Sequence, residues 1–425
     1  MLEPIEITTE SHTASEAADT EPDTFVYMDN YSTTRTDPRV LDAMLPYFSM
    51  HYGNAHSRSH SYGWAAEKGV DNAREQVAAL VNCKASDIIF TSGGTESCNL
   101  AVKGVARMYE EKGRHIITTA VEHRAVMDPL RALERDGFDV TYLPVDTSGV
   151  VDPAALKDAL REDTIFASVI FASNEIGTTQ NVAAMGAICK EAGVIFHVDA
   201  CVGLDTEVID VDAMGIDLLS MSGHKIYGPM GVGALFVRRR KPRVRLRPQL
   251  EGGSQERGMR HGSLNVPGIV GLGAAAELCR LERADDAQRV RALRDRMESA
   301  FKDGLEEVYV NGHATQRLPG SLNMSFNYVE GESLMMGMSS IAVSSGSACT
   351  SATLEPSHVM KALGVDEDLV HTSIRFSLGR FSTQVDVDQA VEQCLTAARK
   401  LREMSPLWEM FKEGIDISSI EWKHD

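Results

Sequence analysis

Between Phe25 and about Val237 the chain keeps changing period, with short β-rich runs alternating with stretches patterned as helices. The strand candidates are Asp87–Thr91, His115–Thr119, Val140–Leu143, Ile165–Ala172, Val194–Val198, Asp217–Met221 and Gly233–Val237. Between them, Thr95–Glu111, Val126–Asp136 and Val182–Ala192 read as helices. Parallel neighbours need crossover connections, so this alternation predicts an α/β fold with a mostly parallel sheet covered on both faces. In such sheets ligands gather beyond the carboxyl ends of the strands.

At 425 residues the chain exceeds one ordinary core, so two domains are expected. A long charged helix, roughly Gly268–Gly304, leads into a second region with apolar runs at Ser321–Phe326 and Ser373–Leu378 and a final helix near Val387–Arg402. No repeat or low-complexity linker separates the regions, which predicts domains packed together.

At the sheet edge, Ser222-Gly223-His224-Lys225 stands where an apolar run, Ile216–Met221, gives way to the Gly-rich turn Tyr227–Gly231. A lysine partly lifted out of water there has a lowered pKa, and a neutral amine condenses with an aldehyde. The Ser222 hydroxyl and the His224 imidazole suit a phosphate. Upstream, the apolar run Val194–Val198 ends in Asp199. A lysine on an aldehyde and an aspartate behind a pyridine nitrogen are the two protein groups that pyridoxal phosphate (PLP) requires. Either residue alone reads more simply as a surface lysine or a capping aspartate; the pair reverses that preference.

Other motifs fall at the same edge. Thr91-Ser92-Gly93-Gly94-Thr95-Glu96-Ser97 follows an apolar run and opens a helix, where glycines and unpaired N–H groups suit an anion. His123 also follows a strand; it is either a loop imidazole or a plate over a cofactor ring that moves protons. Arg375 interrupts the apolar run Ser373–Leu378, and its planar fork suits a substrate carboxylate. Gly346-Ser347-Ala348-Cys349-Thr350-Ser351-Ala352 makes a poor core segment and a good mobile loop, so Cys349 reads as an accessible nucleophile. Cys279 and Cys394, in helical stretches, read as packing residues.

A net charge of −19 argues against general nucleic-acid binding. No apolar run is long enough to span a bilayer. The cysteines, seven in number and scattered without a CxxC, favour free thiols in a reducing compartment over disulfides or zinc. The first 23 residues carry seven acidic side chains and no Lys or Arg, unlike a signal or transit peptide. They read as a disordered acidic tail, and the expected location is cytoplasmic, with a processed form in the mitochondrial matrix or a related organelle as the alternative.

The motifs Ser222-Gly223-His224-Lys225, His197-Val198-Asp199-Ala200, Asn174-Glu175-Ile176-Gly177 and Ser345-Gly346-Ser347-Ala348-Cys349-Thr350-Ser351 closely resemble the cysteine desulfurases of the class V aminotransferase family. The nearest likeness is to the housekeeping type that supplies sulfur for iron–sulfur clusters. It runs from about Phe25 to the C-terminus through Glu256-Arg257-Gly258-Met259-Arg260, Tyr328–Ser333 and Ser405–Met410. The resemblance implies the PLP-dependent transferase fold type I (aspartate aminotransferase-like), a seven-stranded, mostly parallel sheet in a large domain plus a smaller α+β domain. By it, residues 36–280 form the large domain, and 24–35 with 281–425 the small one. Lys225 becomes the Schiff-base lysine, Asp199 the partner of the pyridinium, and His123 the ring that stacks and shuttles protons. Gly94, Thr95, Ser222 and His224 hold the phosphate, while Asn174 and Arg375 hold the carboxylate of L-cysteine. Ser263 stands for a threonine that reaches the phosphate across a homodimer interface. Cys349 takes the sulfur as a persulfide, releases alanine, and can contact a cluster on a scaffold; no metal is expected in the PLP site itself.

Some positions depart from the family pattern. Val202 replaces a glutamine that donates to the cofactor's phenolic oxygen, Cys201 a threonine, Gly94 an alanine, and Ser173 an asparagine. Arg238–Arg247 holds seven basic residues in ten. Such a run is usually a solvated edge; the family meets acidic frataxin-like or ferredoxin-like partners there, and docks the cluster scaffold near Trp408. Two rivals stay open at this level. One is another PLP enzyme, a selenocysteine lyase or an aminotransferase. The other is a divergent paralogue whose reduced activity leaves it a partner-binding subunit.

Overall fold

The structure, a computed structural model, describes residues 25–345 and 357–415. The acidic stretch over 1–23 and the expected nucleophile Cys349 lie outside the described residues. After the two-residue strand β1 (Val26–Tyr27), seven strands build the main sheet: β2 (Ile88–Thr91), β3 (His115–Thr119), β4 (Asp139–Leu143), β5 (Thr164–Ile170), β6 (Ile195–Asp199), β7 (Leu218–Ser222) and β8 (Gly233–Val237). Their order is β2-β8-β7-β6-β5-β3-β4. Only β8 runs antiparallel to its neighbours. Strands β2, β3, β5, β7 and β8 are buried at every residue, as expected for strands covered by helices on both faces.

A second, antiparallel sheet combines β9 (Val308–Asn311), β10 (Ser321–Phe326), β12 (Ser344–Ser345) and β13 (Ser373–Ser377), and β1 pairs with β11 (Ile341–Ala342). Each sheet has its own apolar core. The first draws in Phe90, Val198, Leu219 and Phe236, and the second Met28, Phe301, Phe326 and Phe376. The 39-residue helix Val266–Gly304 enters both: Ile269, Leu272 and Ala276 lie in the first, Val290, Met297 and Phe301 in the second. It packs along the helix Ser61–Leu80, which the sequence reading had not singled out.

His197, inside β6, is fully buried between the Ser168 hydroxyl at 2.8 Å and the Ser220 hydroxyl at 2.9 Å. Burial lowers its pKa to about 4, against the pull of Asp199. The unfolded chain binds this proton near its ordinary value of about 6.5, so the stabilisation is present above that pH and is lost as pH falls toward 4. We expect urea unfolding to lose about 1.4 kcal/mol per pH unit from this group across that window, and His197→Gln to flatten the slope. Parallel slopes for the two proteins would count against this.

Candidate active site

The carboxyl ends of five main-sheet strands converge on one cavity. Strand β2 leads through Gly93 into the helix Gly94–Tyr109, β3 runs into the turn that carries His123, and β5 leads to Asn174. Strand β6 ends at Asp199, and β7 feeds the turn Gly223–Lys225. The cavity, of about 250 Å³, is lined by Gly94, Thr95, His123, Asn174, Asp199, Ser222, His224 and Lys225, with Ile170, Ala172, Cys201 and Val202 on its apolar side. All eight of the first group were expected from the sequence. Arg375 is not part of the lining but stands behind Asn174. Ser263 is exposed and is not among the residues that line this chain's cavity.

One end of the cavity is built for an anion. Gly93 takes φ +149°, a conformation an L side chain resists, and caps the helix Gly94–Tyr109, whose first N–H groups point outward. The Ser222 hydroxyl borders the same end, buried and without a hydrogen-bond partner among the described residues. A buried hydroxyl left unbonded is costly, and a phosphate oxygen would satisfy it. Asp199 also lines the cavity, with its Oδ1 accepting from the Cys201 N–H at 3.0 Å. The donors, the carboxylate and the Lys225 amine therefore fit PLP.

Two imidazoles flank this space. His123 caps the helix Arg124–Arg135 by accepting the Ala125 N–H on Nδ1 at 3.1 Å. Burial lowers its pKa, against Asp199 and with the help of Lys225, so the ring stays neutral with its proton on Nε2. His224 is held near 4, mainly by burial and then by Lys225.

Lys225 Nζ donates to the Tyr31 and Ser32 carbonyls, the latter at 2.8 Å. Ser32 also meets Arg375, whose guanidinium donates to Ser32 Oγ and Asp29 Oδ1, both at 2.6 Å, and to the Asn174 carbonyl at 3.0 Å. The Arg375 Nε is buried and has no partner among the described residues. The Asp29–Ser32 turn thus holds two of the cations that the sequence reading singled out.

Two departures from the family pattern turn out to be one. A Cβ on residue 94 would come within 2.5 Å of Cys201 Sγ, so the sulfur fills the space that Gly94 leaves. Overpacking of this kind costs about 1–3 kcal/mol. We expect Gly94→Ala to lower retained cofactor about tenfold, and Cys201→Ala in the same chain to restore it. Cofactor absorbance per chain after gel filtration reads this; equal loss in the single and double variants would reject the packing account. Val202 offers no donor and continues the apolar wall of Ile170 and Ala172.

The sequence reading passed over Glu122, the residue before His123. Its carboxyl is fully buried, accepting from Thr119 Oγ1 at 2.9 Å and the Ile170 N–H at 2.7 Å. Burial, and then Asp199, raise its pKa well above the usual carboxylate range. Its position beside a candidate histidine was the only sequence signal; nothing in the local pattern announces burial.

The model of the class-V aminotransferase family matches residues 26–390. A cysteine desulfurase IscS of Anaeromyxobacter dehalogenans (strain 2CP-C) is 57% identical over 397 residues, covering 93% of this chain and 98% of that one. A protein of the same name from Shewanella sp. (strain W3-18-1) is 53% identical over 401 residues, covering 94% of this chain and 99% of that one. Among solved structures, a NifS-like protein superimposes with a TM-score of 0.83 at 36% identity, over 88% of this chain and 100% of its own.

Proposed function

Because the chain belongs to the class-V aminotransferases and, within them, to the IscS-type cysteine desulfurases, we propose that Lys225, Asp199, His123 and Cys349 carry a desulfuration of L-cysteine. The fold is the PLP-dependent transferase fold type I, and enzymes of this family use PLP. When bound, that cofactor supplies an electron sink that makes the substrate's Cα proton removable and weakens its Cβ–S bond. The one observation that most supports the assignment is the meeting of Lys225, Asp199 and the unbonded Ser222 hydroxyl in a single cavity.

The residues divide the work. Asp199 keeps the ring nitrogen protonated. Gly94, Thr95, Ser222 and His224 hold the phosphate, and neutral His123 stacks on the ring. Lys225 anchors the cofactor and moves the Cα proton. Arg375 and Asn174 seat the carboxylate, with the buried Arg375 Nε, which has no partner among the described residues, as a donor. Cys349 then takes the sulfur: L-cysteine and a thiol become L-alanine and a persulfide, with no outside oxidant. The purified protein should release equal amounts of alanine and sulfide from L-cysteine in the presence of a reductant. Bound cofactor without turnover, or strong preference for selenocysteine, would overturn this reading in favour of the paralogue or the selenocysteine lyase.

We also place the persulfide's use in iron–sulfur cluster assembly, other thio-cofactors and tRNA thiolation, in a cytoplasmic homodimer of two-domain chains divided at 36–280 against 24–35 with 281–425. No helix among the described residues is long and apolar enough to cross a membrane. Exposed Ser263 is available to a second copy's phosphate site. The cluster scaffold would meet the C-terminal segment, where the Tyr328 ring meets Trp408 at a tilt at 5.7 Å and stacks with Phe411 at 5.1 Å.

Within the basic run, Arg238 is committed to Asp212 at 2.6 Å and Asp217 at 3.2 Å, whereas Arg243 and Arg245 point outward around buried Val244. An acidic partner of frataxin or ferredoxin type fits the outward charges. Exchange of Arg243 and Arg245 to Glu should cut low-salt binding of such a partner about tenfold or more while leaving basal turnover intact. Unchanged binding would remove this patch from the interface.

A further inference from the structure

We propose that Cys98, Cys201 and Asp199 form a site for one thiophilic divalent cation, of the zinc or cadmium class, in competition with the cofactor's ring nitrogen. Cys98 lies on the helix Gly94–Tyr109 and is fully buried, and Cys201 follows Asp199 by two residues at the end of β6. Their two Sγ atoms and an Asp199 oxygen all lie within 4.8 Å of one another. The thiols are hydrogen-bonded to each other, and the Cys201 sulfur is packed into the space left by Gly94. The N–H of Cys201 fixes the carboxylate at 3.0 Å. Two sulfurs and one oxygen around a point make three corners of a tetrahedron. Cys201 and Asp199 both border the cavity, so the fourth corner opens to it.

Loading is balanced without an oxidant: each thiol gives up one proton to solvent, two metal–sulfur bonds and one metal–oxygen bond form, and the departing PLP leaves by hydrolysis of its imine to Lys225, one water returning the lysine amine and the free aldehyde. A carboxylate that ligates a dication no longer neutralises a protonated pyridine beside it, and the two positive charges repel. Cation and cofactor therefore exclude one another. This competition rests on Asp199 facing the ring as proposed above; the metal site itself does not.

The test titrates Cd²⁺ without oxygen into holoenzyme carrying Cys83→Ser and Cys349→Ser, which remove two further thiols outside the proposed site. Expected are one cadmium per chain with cadmium–thiolate charge-transfer absorption, release of PLP in step with it, and weaker cadmium binding when PLP is added. Cys98→Ser and Cys201→Ser should each lower cadmium affinity at least about tenfold and keep PLP in place. Cofactor absorbance before cadmium is added certifies that each variant is folded, with Cys98→Ala and Cys201→Ala as replacements where serine fails that check. Charge-transfer absorption unchanged in both cysteine variants, or absent from the parent, would overturn the site. Cadmium bound through both cysteines while PLP stays put would overturn the competition and would fault the placement of Asp199 behind the ring, not the metal site.

Discussion

Serine in place of Cys349 is expected to stop sulfide release from L-cysteine, with kcat falling at least about 10³-fold. The other thiols offer no substitute. Burial pushes Cys83, Cys189 and Cys279 up to about 12 and raises Cys394 further from its ordinary value. Cys201 is raised well above its ordinary value by its bond to Cys98 and by burial. In Cys98 the bond to Cys201 pulls downward, but burial and Asp199 outweigh it. All six described cysteines are therefore poor thiolates at neutral pH, and a thiolate is the species that attacks sulfur. The variant should keep exchanging the substrate's Cα proton with solvent deuterium, because Lys225 is untouched. Sulfide release within tenfold of the parent would remove Cys349 from the mechanism.

Lys225→Ala should cost more, about 10⁴-fold, and should abolish Cα exchange together with alanine release. Lys225 is the one amine among the described residues lining the cavity. Its Nζ is aimed by the Tyr31 and Ser32 carbonyls. Lys225→Arg keeps the charge and the length but not a removable proton, so it should fail as badly. Added methylamine should restore part of the exchange in Lys225→Ala only. The two cysteine and lysine variants thus fail at different steps, and exchange surviving in Lys225→Ala would reassign the base.

The main sheet was legible because strands covered on both faces read as unbroken apolar runs. All seven runs became strands, His115–Thr119 and Gly233–Val237 with the bounds expected and the other five shifted at one or both ends by a residue or two. The helix expected from Thr95 starts at Gly94, since Gly93 supplies the turn before it. The paired strands Val26–Tyr27 and Ile341–Ala342 were not legible, because two residues carry no period. At the site, Lys225, Asp199 and His123 could be read because each follows an apolar strand, where such sheets present their chemistry. The fit of Cys201 Sγ against Gly94 could not, since packing between distant segments leaves no local pattern. The same holds for the Asp29–Ser32 turn that holds Lys225 and Arg375, and for the buried carboxyl of Glu122.

The helix Val266–Gly304 has a thermodynamic consequence. An element that surrenders apolar side chains to two cores cannot leave one without disturbing the other. Melting of the smaller core frees Met297 and Phe301 and frays the rod on which Leu272 and Ala276 are mounted. The two halves therefore share one free-energy barrier, and the heat capacity trace of this chain should show one cooperative peak.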